Sequence, residues 1–187
     1  MLTDGRFDLV VPDRAELGVV VLHPHPDYGG DRFNPVVDAI FRAVTAAGTA
    51  AVRFDFSSSD VAMAAEETRD ALAGLPGDVP VAMAGYSFGA GIATQVLDDR
   101  ITRWVLVAPP LTSLALDLDA IASDPRPKHL LAPVHDQFCP PTDARAATDR
   151  WAATTVEPIE GADHFLAGAT SRVADRTLEL IGARRRV

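Results

Sequence analysis

The chain has 187 residues, enough for one domain with a buried core, and its 48% hydrophobic and 23% charged residues are typical of a globular protein. Its 17 Lys and Arg against 26 Asp and Glu give a net charge of −9, which argues against nucleic acid or an anionic membrane as a partner. No apolar run is long enough for a membrane span, and the first residues lack the pattern of a signal peptide. The single cysteine, Cys139, cannot form an internal disulfide. We therefore expect one cytoplasmic domain spanning residues 1–187.

The first half of the chain alternates apolar runs with amphipathic stretches. The predicted strands are Phe7–Val11, Leu17–Leu22 and Ala50–Phe54. Asn34 followed by Pro35 is typical of a helix start, and helical apolar spacing continues from there to Ala47. The polar run Ser57–Asp60 can cap a second helix, which we expect to end at Ala73.

The most informative stretch is Gly85–Gly89, which reads Gly-Tyr-Ser-Phe-Gly. It follows the apolar run Val79–Ala84, a predicted buried strand, and precedes the small-residue stretch Ala90–Leu97, a predicted helix. In this context the pattern is typical of a nucleophile elbow, where Ser87 projects from a strained turn beside the N–H of Phe88. The bare five-residue pattern is weaker, because a glycine-rich turn can carry a serine that has no chemical role.

The second half continues the alternation of strands and helices. The predicted strands are Arg103–Ala108, His129–Val134 and Thr155–Ile159, and the predicted helices are Thr142–Ala153 and about Ala167–Arg184. Continuous apolar strands between helices predict an α/β fold with a mostly parallel, doubly wound sheet covered on both faces. The irregular connection Pro109–Pro127 is too short to hold a cap domain.

A serine nucleophile needs a base, and the base needs an orienting acid; on this fold the acid precedes the histidine in the chain. His164 follows the last predicted strand, and Asp136 follows the strand that ends near Val134. The other acids in loops at that edge, which stay open as alternatives, are Asp117, Asp119 and Asp143. Asp163 and His135 are excluded, because each is adjacent in sequence to the residue it would have to hydrogen-bond.

The histidines that follow the second predicted strand allow two interpretations. His23 and His25 could be a metal pair, but no third ligand has suitable spacing, so we expect no metal and no other cofactor. Pro24 and Pro26 have no N–H, whereas His25 can donate from its backbone. An oxyanion needs two donors, and we predict that His25 and Phe88 supply them.

Three motifs together resemble those of a known superfamily. They are HPHPxxGG at 23–30, GYSFG at 85–89 and GADHF at 161–165. The chain resembles the α/β-hydrolase superfamily and, more narrowly, the compact, lidless bacterial hydrolases related to dienelactone hydrolases. The resemblance implies Ser87 as nucleophile, Asp136 as acid and His164 as base. Dienelactone hydrolases proper carry cysteine at the position of Ser87, so the resemblance implies a reaction type and not that particular activity.

We therefore expect a minimal α/β hydrolase without a cap domain that cleaves a small ester or related acyl bond, in the manner of a carboxylesterase. An acyl thioesterase with the same triad and a non-catalytic binding scaffold remain alternatives, and a homodimer stays open. The partner would be a small acyl substrate. The residues expected to wall an open, shallow pocket are Tyr28, Phe33, Tyr86, Leu111, Phe138 and Phe165.

Overall fold

The structure is a computed structural model that describes residues 2–3, 5 and 7–183. Within those residues one sheet of eight strands forms the centre of the molecule. Its strands are β1 (Leu2–Thr3), β2 (Phe7–Val10), β3 (Gly18–Leu22), β4 (Ala50–Phe54), β5 (Val81–Tyr86), β6 (Ile101–Val107), β7 (Lys128–His135) and β8 (Thr154–Asp163). They lie side by side in the order β1-β2-β4-β3-β5-β6-β7-β8. The first two strands pair antiparallel, and the other six form a parallel sheet.

Helices cover both faces of this sheet. In the part of the chain that the structure describes they are α1 (Pro35–Ala46), α2 (Val61–Ala73), α3 (Phe88–Ala93), α4 (Asp119–Ser123), α5 (Pro141–Ala147) and α6 (Thr170–Leu180). Buried side chains of α1 and α6 share one apolar core, and those of the other four share a second core on the opposite face. The predicted doubly wound, mostly parallel sheet is therefore confirmed. Among the described residues no helix is both long and apolar enough to cross a membrane.

The two helix starts predicted from polar caps are confirmed. The side chain of Asn34 accepts a hydrogen bond from the N–H of Val36 at 3.0 Å, and Pro35 takes the first helical position, where its missing N–H costs nothing. Asp60 accepts from the N–H of Met63 at 2.9 Å in the same way at the start of α2.

Several boundaries differ from the predicted ones. Helix α3 ends at Ala93 and α5 at Ala147, and in each case the next residue is a threonine. Thr94 donates its hydroxyl hydrogen to the carbonyl of Gly91 at 2.6 Å, and Thr148 donates to that of Ala144 at 2.8 Å. Each of these carbonyls also accepts the backbone N–H of the same threonine, so the threonine closes the last turn through two hydrogen bonds.

At the C-terminal end β8 runs past its predicted end at Ile159 to Asp163. Pro158 lies inside it, which is tolerated because β8 is the last strand of the sheet. The final helix spans Thr170–Leu180, so the prediction of about Ala167–Arg184 was too long at both ends: residues 167–169 and 181–183 are described and lie outside the helix. Arg184 itself lies outside the described residues.

A buried charge network fixes the loop that leaves β3. Arg53 of β4 donates to Asp8 of β2 at 2.8 Å, to Asp38 of α1 at 2.9 Å and to the carbonyl of Arg32 at 3.0 Å. Arg32 in turn forms an ion pair with Asp55, which also accepts the backbone N–H of Arg32 at 2.8 Å. Because every guanidinium here has carboxylate partners, the network can be buried and can hold the loop in one position.

The strand order reverses at β3, which has β4 on one side and β5 on the other. The loops that follow β3 and β5 therefore leave the sheet next to each other at its carboxyl edge. Such a reversal opens a crevice where ligands of α/β proteins commonly bind.

Candidate active site

Ser87 forms the whole connection between β5 and α3. Its backbone has φ 53° and ψ −120°, a region that residues other than glycine rarely adopt, and such strain costs about 1–3 kcal/mol. The N–H of Ser87 donates to the carbonyl of Val107 at 2.9 Å, which ties the turn to β6. The serine side chain is thereby held at the carboxyl edge of the sheet.

The two glycines of the elbow permit this close packing. A Cβ on Gly85 would lie 2.3 Å from the carbonyl oxygen of Gly89. A Cβ on Gly89 would lie 2.6 Å from the carbonyl oxygens of Leu22 and His23 at the end of β3. Both contacts are with backbone, which cannot move aside as a side chain could, so neither position admits a larger residue.

The three side chains predicted to act together are in contact. Ser87 Oγ lies 2.9 Å from His164 Nε2, and His164 Nδ1 lies 2.8 Å from Asp136 Oδ2. The alternative acids make other contacts: Asp117 accepts from the N–H of Asp119, and Asp143 accepts from the hydroxyl of its neighbour Thr142. In the described residues, therefore, Asp136 alone is the carboxylate bonded to the ring of His164.

Asp136 is only 4% exposed and is fully hydrogen-bonded. Its Oδ1 accepts the backbone N–H groups of Phe138 at 2.8 Å and Cys139 at 3.2 Å, which leaves Oδ2 for the histidine. Burial acts to raise the pKa of this carboxyl, but the hydrogen bonds from His164 and the two N–H groups outweigh burial and lower the pKa below its ordinary value. The group is thus held as a carboxylate.

His164 is oriented from both sides. Asp136 is a carboxylate and has no proton to donate, so we assign the imidazole hydrogen to Nδ1 of His164. The lone pair of Nε2 is then directed at Ser87. Tyr86, the last residue of β5, donates its hydroxyl hydrogen to the carbonyl of His164 at 2.9 Å. Burial, together with the charges of Asp136 and Asp163, raises the pKa of Tyr86 well above its ordinary value, so the phenol remains a donor.

The loop after β3 folds around the carbonyl of His25. That oxygen accepts the N–H groups of Tyr28 at 3.2 Å and Gly30 at 3.0 Å, and a Cβ on Gly30 would lie 2.2 Å from the oxygen of Pro24. In the part of the chain that the structure describes, the backbone N–H groups of His25 and Phe88 have no hydrogen-bond acceptor. Both residues line the cavity at Ser87. Two free donors beside a serine are what a developing oxyanion requires.

His23 has a structural role. Its Nδ1–H donates to the carbonyl of Pro24 at 2.6 Å, and its Nε2 accepts the N–H of Phe56 at 2.8 Å. Burial lowers the pKa of His23, so the ring stays neutral. Since both ring nitrogens are engaged, His23 has none to offer a metal. No group of three or more His, Cys, Asp or Glu residues among the described ones is arranged to hold a metal ion.

A cavity of about 630 Å³ opens at Ser87. The lining residues outside the triad are Pro24, His25, Tyr28, Gly29, Gly30, Asn34, Tyr86, Phe88, Pro110, Ser113, Leu114, Phe138 and Phe165. Four of the six predicted wall residues, Tyr28, Tyr86, Phe138 and Phe165, are among them. A smaller cavity of about 330 Å³, between β4 and α2, does not include any of the triad residues.

Two predicted wall residues lie elsewhere. Phe33 is 55% exposed and covers the guanidinium groups of Arg32 and Arg53, at 4.4 and 5.1 Å, outside the cavity lining. Leu111 is 7% exposed and belongs to the apolar core. Leu114, which sequence reasoning missed, lines the cavity instead and packs over Gly91, where a Cβ would come within 2.9 Å of it.

Cys139 lies next to the acid loop and is fully buried. Burial raises the pKa of its thiol to about 11. At neutral pH the thiol is therefore protonated and unreactive, in agreement with a packing role.

Comparison with known proteins supports the fold assignment. The chain matches no protein-family model. It is 27% identical over 183 residues to an uncharacterized protein of Rickettsia prowazekii, covering 87% of this chain and 76% of the relative. Among solved structures it is similar to a protein of unknown function from Agrobacterium tumefaciens, with 22% identity, a TM-score of 0.81 and coverage of 94% and 89% of the two chains. A serine hydrolase without a lid from Xanthomonas campestris is also similar, with 18% identity, a TM-score of 0.72 and coverage of 94% and 87%.

The chain therefore has the α/β-hydrolase fold in a compact form without a lid, as the motifs predicted. The narrower kinship with dienelactone hydrolases stays a prediction.

Proposed function

We propose that this protein is a serine hydrolase that cleaves esters or related acyl bonds through an acyl-enzyme intermediate. The observation that carries the proposal is the unbroken hydrogen-bonded chain from Ser87 Oγ through His164 to Asp136, with distances of 2.9 and 2.8 Å. The strained backbone at Ser87 costs free energy. A scaffold that only binds a ligand would gain nothing from this strain, whereas an acyl-transfer enzyme needs the serine held in this position.

In the proposed reaction Ser87 Oγ attacks the acyl carbon while His164 Nε2 takes the hydroxyl proton. The carbonyl oxygen becomes negative and receives the N–H groups of His25 and Phe88. His164 then gives the proton to the departing alcohol or thiol, and the acyl group stays on Ser87. A water molecule, deprotonated by His164, releases the acid in a second cycle of the same steps. Asp136 remains ionised throughout and stabilises the imidazolium.

The open cavity leads to a prediction about acyl-chain length. The connection from β6 to β7 holds only the five-residue α4 between irregular segments, and nothing in it forms a cap over the cavity. Each methylene that is buried contributes about 0.8 kcal/mol, but a chain that projects into solvent gains nothing further. We expect kcat/KM for p-nitrophenyl esters to be highest between acetyl and hexanoyl and to fall for longer chains.

The measurement is a series of p-nitrophenyl esters from acetate to laurate, assayed below their solubility limits, with the Ser87→Ala variant as the background. A steady rise out to laurate would contradict an open, capless site. The absence of turnover on every ester and on simple thioesters would contradict the proposed function itself.

A further inference from the structure

The geometry of the triad fixes the side of the cavity on which a leaving group must lie. His164 Nε2 has to deliver a proton to the leaving atom, so that atom must come within hydrogen-bond distance of Nε2. Two phenylalanine rings flank this imidazole. The Phe138 ring centroid is 4.6 Å from that of His164 and the Phe165 centroid 5.8 Å from it, both rings edge-on to the imidazole. A leaving group that reaches Nε2 therefore lies close to two aromatic rings of the cavity lining.

These rings are exposed to an unusual degree. Phe138 is 45% exposed and Phe165 is 65% exposed, although large apolar side chains are normally buried. They come from separate loops, one after β7 and one after β8, and both line the cavity. Neither residue belongs to the two apolar cores of the described chain. Their placement is explained if they provide contact surface for an apolar ring of the substrate.

The charges around this subsite are negative. The cavity lining contains no lysine, arginine, aspartate or glutamate. Asp136 lies behind His164 as a carboxylate, and Asp163, directly before His164, is exposed. Arg32, the cation in the loop that leaves β3, is 6% exposed and paired with Asp8 and Asp55. Among the described residues, no cation lines the subsite to balance a carboxylate or phosphate on the leaving group.

We propose that Phe138 and Phe165 form a leaving-group subsite for an uncharged, flat apolar ring, so that the preferred substrates are esters of aryl or benzyl-type alcohols. Carriers with carboxylate or phosphate groups, coenzyme A thioesters among them, are poor substrates. The proposal rests on the proposed serine-hydrolase function and specifies its substrate class. It also separates the esterase from the acyl-carrier thioesterase, which share one triad.

The ring preference is tested with benzyl butyrate and butyl butyrate, which share the acyl group and differ in the flat ring. We expect kcat/KM for the benzyl ester to be about three- to tenfold higher, the size of a good aromatic contact. Phe165→Ala should reduce this ratio to about twofold or less. Phe33→Ala is the matched control, because Phe33 is similarly exposed but lies outside the cavity lining, and it should leave the ratio unchanged.

The charge preference is tested with methyl para-acetoxybenzoate and the para-acetoxybenzoate anion, each rate divided by its hydroxide-catalysed rate. We expect the normalised rate of the neutral ester to be about fivefold higher than that of the anion at low salt. The difference is small because exposed charges several ångströms apart interact weakly. Asp163→Asn keeps the acceptor for the N–H of Phe165 and should reduce this ratio about twofold. Asp78→Asn is the control: Asp78 is also exposed, but it precedes β5 at the edge of the sheet opposite the cavity. This substitution should leave the ratio unchanged.

Thioesters provide a third comparison. S-acetyl-N-acetylcysteamine should be hydrolysed faster than acetyl-coenzyme A, which adds anionic phosphates to the same thioester. The subsite would be overturned if the ratio of benzyl to butyl butyrate turnover were the same in the wild type and in Phe165→Ala. It would also be overturned if the enzyme preferred the para-acetoxybenzoate anion or acetyl-coenzyme A over its neutral partner. In either case, turnover of butyl butyrate would still uphold the hydrolase. Loss of all turnover, together with no covalent labelling of Ser87, would instead overturn the hydrolase, and the subsite with it.

Discussion

Replacing Ser87 by alanine is expected to lower kcat/KM for p-nitrophenyl acetate by at least about 10⁴-fold, as removal of a serine nucleophile does in other hydrolases. In the described residues the hydroxyl of Ser87 has one hydrogen-bond partner, His164 Nε2, so its loss removes the chemistry and little of the packing. Circular dichroism and thermal unfolding should therefore match those of the wild type. Residual turnover within about tenfold of the wild type would mean that another group is the nucleophile.

A matched pair of variants at this position tests whether the turn is strained. Ser87→Gly should be as inactive as Ser87→Ala, but glycine tolerates φ 53° without steric cost. Glycine relieves the strain of the turn but loses more backbone entropy on folding than alanine does. On balance we expect the free energy of unfolding of Ser87→Gly to exceed that of Ser87→Ala by about 1 kcal/mol. A glycine variant less stable than the alanine variant would show that the elbow stores no strain.

Replacing Asp136 by asparagine is expected to lower kcat by about 10⁴-fold, the effect of the same change in the serine-protease triad. Asparagine can still accept from Phe138 and Cys139, so the loop should hold its shape. Its amide cannot stabilise an imidazolium, and it can present a donor to Nδ1, which would favour the wrong tautomer of His164. The measurement is kcat on p-nitrophenyl acetate, with the folded state checked by thermal unfolding.

The controls are Asp143→Asn and Asp117→Asn, since both carboxylates are exposed and make no bond to His164. Each should change kcat by less than about threefold, as expected for surface substitutions. A large loss in either control, with Asp136→Asn near the wild type, would move the acid to a different loop.

The lowered pKa of Asp136 also affects stability. A carboxyl whose folded-state pKa lies below its unfolded value, near 4, stabilises the protein above that value and loses this contribution as the pH falls through the folded-state pKa. Asp136→Asn should therefore be less stable than the wild type at neutral pH. The difference should shrink in acid, which urea unfolding at several pH values would measure.

The parts of the site that sequence predicts well are those with local determinants. Gly85, Ser87 and Gly89 form a short pattern that directly follows an apolar strand, and both features can be read from adjacent residues. Likewise Asn34 and Pro35 place the start of α1, because a cap bonds to an N–H only two residues away. These features need no information from the rest of the chain.

Residues whose role depends on the path of a loop could not be predicted in this way. Asp136 was one of several acids at the same edge of the sheet, and its contact with His164 spans 28 residues of sequence. Leu111 and Leu114 lie in one loop, and only the route of that loop decides which enters the core and which lines the cavity. Phe33 is drawn away by guanidinium groups that the apolar pattern does not reveal.

Covalent trapping of the nucleophile tests the central proposal most directly. The protein is incubated with a small fluorophosphonate at neutral pH, and the modified residue is located by intact-mass analysis and peptide mapping. We expect a single adduct on Ser87, no adduct in Ser87→Ala, and much slower labelling in Asp136→Asn because His164 then lacks its orienting carboxylate. An unlabelled protein, or an adduct on any other residue, would contradict Ser87 as an activated nucleophile.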